Sequence, residues 1–204
     1  MDRRFEWRAV IALAVALLSF VLLSAALSRG KTIAFDEACR AGLHSIANPA
    51  LTLLMLAVTA LGSQAVLLVV AGGAVIWMFL SGARRDGLLI LIGMAGAELL
   101  MPILKVEFHR QRPEPFFDVI APNSYSFPSG HALMSFCCYG LLAVVASAHL
   151  EGSARQWVRI GAAVLILTIG ISRVYLGVHH ATDVIAGYLV GTIWLAALLA
   201  IARV

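Results

Sequence analysis

Charge is scarce in this chain of 204 residues: Asp, Glu, Lys and Arg make up 13% of it. A water-soluble globule carries roughly 25%. Hydrophobic residues reach 61%, and the mean hydropathy is +0.94. Together these values exclude an ordinary soluble domain. The net charge of +4 is small, which removes any reason to invoke a nucleic-acid partner. Cysteine is nearly absent as well. Cys39, Cys137 and Cys138 have no metal-ligand spacing, and the adjacent pair cannot form a framework disulfide, so they read as packing residues. Several devices for handling phosphate are also missing. There is no D-x-D for an aspartyl-phosphate, and no cysteine begins a C-x5-R loop. Gly30-Lys31-Thr32 lacks the upstream glycine of a P-loop, since Ala25 stands there. Glu107, Glu114 and Asp118 form no two-metal pattern; the last two read as solvated loop residues.

What the sequence does have is long apolar runs. Ala9–Leu27 holds no charge over 19 residues, enough for one bilayer crossing and too long for a signal-peptide core. Residues 49–80 form a run too long for one upright span and too short for two with a turn; Gly62-Ser63 divides it. Ala50–Leu61 then reads as a short interfacial helix and Gln64–Leu80 as the second span. Leu88–Leu104, Ala132–Ala148, Val158–Tyr175 and Val184–Ala202 complete a six-span, all-α bundle, read as one domain over residues 1–204. Gly187-x3-Gly191 predicts close helix packing in the last span.

With an inner N-terminus, six spans put Arg3, Arg4, Arg8, Arg84, Arg85, Arg155, Arg159 and Arg203 on the cytoplasmic side. Arg29, Lys31, Arg40, Lys105, Arg110, Arg112 and Arg173 fall outside, and three of these belong to the motifs below. Setting those three aside leaves the bias that the positive-inside rule expects. Both termini are therefore placed in the cytoplasm of a cell-membrane protein. Residues 105–131 and 173–183 then share the extracytoplasmic face.

Three polar clusters meet on that face. In "KVEFHRQRPEP", Lys105 and Arg112 read either as interfacial anchors or as a point charge and a planar fork for phosphate oxygens. In "SFPSGHALMSF", Pro128 suits a helix start, and Ser129 and Gly130 leave backbone N–H groups for an anion, with His131 beside them. In "SRVYLGVHHATD", Arg173 closes the fifth span, while His179 and Asp183 are spaced to share one helical face. Such a carboxylate binds Nδ1–H and leaves Nε2 as a nucleophile or base. His180 points elsewhere and reads as structural. Ionisable groups at membrane depth are costly, so their convergence points to function. Lys105, Arg112, Arg173, Ser129 and Gly130 suit a phosphate; His131 and His179 suit nucleophile and acid–base roles, which spacing alone leaves interchangeable.

The patterns Lys105-x6-Arg112-Pro113, Pro128-Ser129-Gly130-His131 and Ser172-Arg173-x5-His179-x3-Asp183 resemble the full three-part signature of the type 2 phosphatidic acid phosphatase superfamily. The resemblance covers Lys105 to Asp183 and implies a metal-independent phosphatase without cofactor. It also implies that His179 is the nucleophile, oriented by Asp183, and His131 the acid. A lipid phosphate in the bilayer is the implied partner. Undecaprenyl pyrophosphate leads, ahead of phosphatidic acid, phosphatidylglycerol phosphate and a lipid A phosphate. A phosphotransferase using the same site stays open. A transporter has no use for the carboxylate behind His179, and no repeat relates the two halves. Glu98, seven residues before Lys105, either bonds another span or lines the cavity below the phosphate; Pro102 after it is a candidate kink. Phe116, Phe117, Tyr125 and Phe127 are candidates for the membrane interface.

Overall fold

The structure is a computed structural model describing residues 3–120 and 122–202, with side chains from Val10 onward. The side chains of Arg3, Arg4 and Arg8, and all of Arg203, lie outside the described part. Eight helices appear among the described residues: α1 (Arg3–Ser28), α2 (Ile33–Ser45), α3 (Pro49–Leu61), α4 (Gln64–Leu80), α5 (Arg84–Phe108), α6 (Gly130–Ala148), α7 (Gly152–Tyr175) and α8 (Ala181–Ala202). Five of them (α1, α5, α6, α7 and α8) are long and apolar enough to cross a bilayer. The halves of the long run, α3 and α4, meet at 47°, and counting them as one broken span gives six.

The local causes are simple. Asn48 caps α3, accepting from Leu51 N at 3.0 Å, and Pro49 follows at a position where its missing N–H costs nothing. Ser63 caps α4 through Val66 N. Between them, Gly62 packs where any Cβ would strike Ile169 on α7 and approach His131 Cδ2 at 3.2 Å. The break therefore brings the end of α3 against the future site.

Leu67, Ile90, Leu133, Leu141 and Leu195 pack the core between α4, α5, α6 and α8. The outer faces stay apolar, as with Leu68 at 72% exposed and Trp77 at 71%. In water that surface is an aggregation hazard; facing lipid it is the favourable arrangement. The glycines of α8 behave as their spacing predicts. A Cβ on Gly187 would lie 2.8 Å from Ser129 O, and one on Gly191 2.7 Å from Phe136, so α8 lies directly on α6.

Three features differ from the sequence reading. Helix α2 has no counterpart in it, because 13 residues carrying Asp36, Glu37 and Arg40 are too short and polar to register as a span. Helix α7 begins at Gly152 rather than Val158 and carries Arg155 and Arg159 in its first turns. Pro102 sits inside α5, which continues through it.

Candidate active site

Connectivity brings the C-termini of α5 and α7 and the N-termini of α6 and α8 to one end of the bundle. The loop between α5 and α6 closes over this end. Phe116 N donates to Leu176 O at 2.9 Å, beside Gly177, whose φ of +73° suits glycine. The loop aromatics pin it: Phe116 stacks on His44 at 4.1 Å and Phe117 on Tyr175 at 5.4 Å. Phe127 is wholly buried against Phe20 and Phe108, so it packs inward and is no interface anchor.

Beneath the loop lies a cavity of about 220 Å³ bordered by Lys105, Arg112, Gly130, His131, Arg173 and His179. Its centre is His179, which is 2% exposed. His179 Nδ1 lies 3.2 Å from Asp183 Oδ2, and Arg112 Nη1 lies 2.9 Å from His179 Nε2. A guanidinium only donates, so Nε2 accepts and the neutral ring carries its proton on Nδ1, toward the carboxylate. This contact does not come from helical spacing, because His179 precedes α8. Asp183 instead reaches back from the first turn and accepts His180 N at 2.9 Å, the reciprocal bond of a capping box. Burial, opposed by Asp183, lowers the His179 pKa from its ordinary value to about 4. The ring is therefore neutral at physiological pH. Burial likewise lowers the pKa of Arg112 and of His180.

The cations are held by neutral oxygens. Arg112 Nε donates to Ser124 O at 2.8 Å and Nη1 to Val178 O at 2.9 Å. Lys105 Nζ donates to Tyr125 O and, at 3.4 Å, to Ser124 Oγ. Arg173 Nη1 donates to Thr59 Oγ1 at 2.7 Å, while its buried Nε has no partner among the described residues. Among the described residues no carboxylate bonds any of the three, which leaves their charge for an anion.

Ser129 differs from its expected place. It precedes α6 as the cap, with Pro128 outside the helix, and its N–H already donates to Asp183 O at 2.9 Å. Its hydroxyl is buried without a partner among the described residues, and Ser129 is not one of the residues bordering the cavity. Glu98 does both things foreseen for it: it accepts Gln64 Nε2 at 2.8 Å and borders the cavity. Below this pair an apolar groove of about 290 Å³ runs between α4 and α5 past Leu67, Leu68, Leu91 and Met94.

The model of the PAP2 superfamily matches residues 86–203, more than half of the chain. This chain belongs to the PAP2 superfamily. Phosphatidylglycerophosphatase B of Bacillus subtilis (strain 168) is 36% identical over 179 residues, covering 85% of this chain and 86% of that protein. The crystal structure of a transmembrane PAP2-type phosphatidylglycerolphosphate phosphatase from Bacillus subtilis superposes with a TM-score of 0.86 at 33% identity, covering 94% of this chain and 96% of that one. The undecaprenyl-diphosphatase of Sulfolobus acidocaldarius is 31% identical over 53% of this chain and 52% of its own. The all-helical, multi-pass fold is thus that of a transmembrane PAP2 phosphatase.

The superfamily signature passes over a second layer in this PAP2 protein. Arg110 Nη1 donates to Asp183 Oδ1 at 2.6 Å, and its Nη2 to Asp36 Oδ2 at 2.6 Å. Thr182 donates to Asp36 through its N–H and hydroxyl. Sequence reading places Arg110 only in a basic flank and passes over Asp36, 147 positions before Asp183. The one available signal was Arg110 lying two residues from Arg112 in the same loop segment.

Proposed function

We propose that this PAP2 protein is a membrane lipid phosphatase working through a phosphohistidine at the extracytoplasmic face of the cell membrane. The observation that carries the reading is the chain Arg112–His179–Asp183, which sets the Nε2 lone pair toward a cavity ringed by unpaired cations. Substrate phosphate draws Arg112 from Nε2 onto its own oxygens. His179 Nε2 then attacks phosphorus as the bond to the lipid oxygen breaks, and His131 donates a proton to that oxygen. His131 next takes a proton from water, whose oxygen attacks phosphorus; the P–N bond breaks and phosphate leaves. Lys105, Arg112, Arg173 and the Gly130 N–H stabilise charge on the equatorial oxygens. Acid–base help from His131 contributes about 10²–10⁴ in rate. The charge that a metal supplies elsewhere is here carried by the three cations.

The apolar groove joins the cavity at Gln64, Glu98 and Met134, which suits an amphiphile with its phosphate above and its tail below. Phosphatidylglycerol phosphate is the favoured substrate, supported by the Bacillus relative that matches nearly end to end. Undecaprenyl diphosphate, which the family resemblance and topology put first, is the second reading, supported by the archaeal relative. The test is phosphate release from a panel of purified lipid phosphates in detergent, with and without EDTA. Fastest turnover of phosphatidylglycerol phosphate, unaffected by EDTA, is expected. Faster release from undecaprenyl diphosphate reverses the substrate order. Phosphate passed to an added lipid alcohol instead of water marks a transferase.

A further inference from the structure

The layer behind the dyad is as specific as the layer in front. Arg110 and Arg112 reach the α7–α8 junction from the same loop segment but grip it at opposite ends. Arg112 meets His179 Nε2, while Arg110 meets Asp183 Oδ1. Asp183 is fully buried and Asp36 is 1% exposed, and the guanidinium of Arg110 lies between them with one Nη on each carboxylate. Asp36 is fixed in turn by Thr182 N at 2.9 Å and Thr182 Oγ1 at 2.8 Å. Neither Asp36 nor Arg110 borders the cavity.

A strut for the fold needs only one such contact; this one acts on the reacting ring. A carboxylate's terminal torsion is broad and two-fold, so Arg110 at Oδ1, together with the His180 N–H at Oδ2, turns Oδ2 toward His179. The same contact offsets the charge of Asp183. An uncompensated buried carboxylate beside Nδ1 favours imidazolium, which has no lone pair at Nε2. Arg110 is held between the two carboxylates by Asp36 at its second Nη and by Thr182 Oγ1, which accepts from Nη1 at 2.7 Å. The planar fork spans both acids at once, which an ammonium cannot do.

We propose that Arg110 and Asp36 are positioning residues for phosphoryl transfer, a relay Asp36–Arg110–Asp183 that orients His179 and keeps it a neutral nucleophile. This rests on the phosphohistidine reading above.

The test compares Asp36→Asn, Arg110→Lys, Arg110→Gln and the double variant Asp36→Asn/Arg110→Gln with wild type on phosphatidylglycerol phosphate in detergent. Measurements are kcat, KM, inhibition by inorganic phosphate, pH dependence of kcat/KM, and melting temperature. For each single variant, kcat is expected to fall about 10- to 100-fold, as for other supporting partners of a reactive histidine. KM and phosphate inhibition stay within about twofold, because the cavity cations are untouched. In Arg110→Gln the acid limb of kcat/KM moves to higher pH, since bare Asp183 stabilises the protonated ring. The other groups facing His179 are Asp183 from α8, Arg112 from the loop, Arg173 from α7 and His131 from α6, and all remain. The double variant is expected to be no slower than Arg110→Gln, because Asp36 acts through Arg110.

Wild-type kcat in folded Asp36→Asn and Arg110→Lys overturns the proposal. So does a loss of kcat that follows melting temperature with the acid limb unmoved, which marks a strut. Should Arg110→Gln fail to fold, the near-isosteric Asp36→Asn and the charge-preserving Arg110→Lys carry the same decision. Failure of wild type to release phosphate from any lipid refutes the parent reading instead, so the two failures are distinguishable.

Discussion

The two ends of the bundle use the same residue types to opposite effect. At the end where α5 begins and α6 finishes, Asp86 lies 3.4 Å from His149, with side chains 31% and 69% exposed. Arg85 donates to the last-turn carbonyl of Ala202 at 2.6 Å, and Arg155 to Leu150 O at 2.7 Å. These groups sit where solvent screens them, and an exposed pair contributes about 0–1 kcal/mol. At the other end, Asp36, Arg110 and Asp183 form two bridges of 2.6 Å each with carboxylates 1% and 0% exposed. Removing one partner of such a buried set leaves an uncompensated charge and costs about 3–5 kcal/mol. The lesson is that the two ends differ in how far charge is desolvated. Arg85 and Arg155 stay solvent-exposed at the first end, whereas Arg110 at the other is locked between buried carboxylates, beside a cavity bordered by Lys105, Arg112 and Arg173.

Four substitutions or conditions probe that contrast, the largest first. His179→Ala is expected to cut phosphate release by about 10⁴-fold or more, as for loss of a nucleophile in general, with melting temperature unchanged; wild-type-like turnover breaks the mechanism. Arg112→Lys keeps the charge but loses the fork, and about a 10²-fold fall in kcat is expected. Lowering pH should produce no acid limb in kcat/KM until near pH 4. The His179 pKa is lowered to about 4, so its neutral form persists above that value and is lost as pH falls through it. Below it the rate drops about tenfold per pH unit; a limb near the ordinary histidine value places the ring in a wetter site. Asp86→Ala, at the far end, should change turnover less than twofold and stability by no more than about 1 kcal/mol. A larger effect there erases the distinction between the ends.

Much of this is legible in the sequence because membranes simplify it. The halves of the long run end at Leu61 and restart at Gln64, where Gly62-Ser63 foretold a break, because a glycine there permits contact that a side chain forbids. The glycines of α8 predicted its contact with α6 for the same reason. Helix α2 escaped notice because its apolar stripe is interrupted by acids, one of which is buried only through pairing with Arg110 and Thr182. The place of Ser129 was missed because nothing local says that its N–H is taken by the carbonyl of Asp183. Phe127 looked like an interface aromatic until Phe20 and Phe108 closed over it.

By itself the sequence determined that the chain is helical and membrane-embedded, and it singled out Lys105, Arg112, His131, Arg173, His179 and Asp183 as the residues proposed to carry the chemistry. Apolar periodicity, helix breaks and motif spacing are local, so they survive without coordinates. The expected proton on His179 Nδ1 came from the Asp183 spacing; only the tertiary structure brought Arg112, 67 positions away, to donate to Nε2. It alone placed Asp36, from a helix that no hydropathy pattern announces, behind Asp183. Long-range pairing between charges follows from how helix ends converge in space, and nothing in the order of residues 36 to 183 records that meeting.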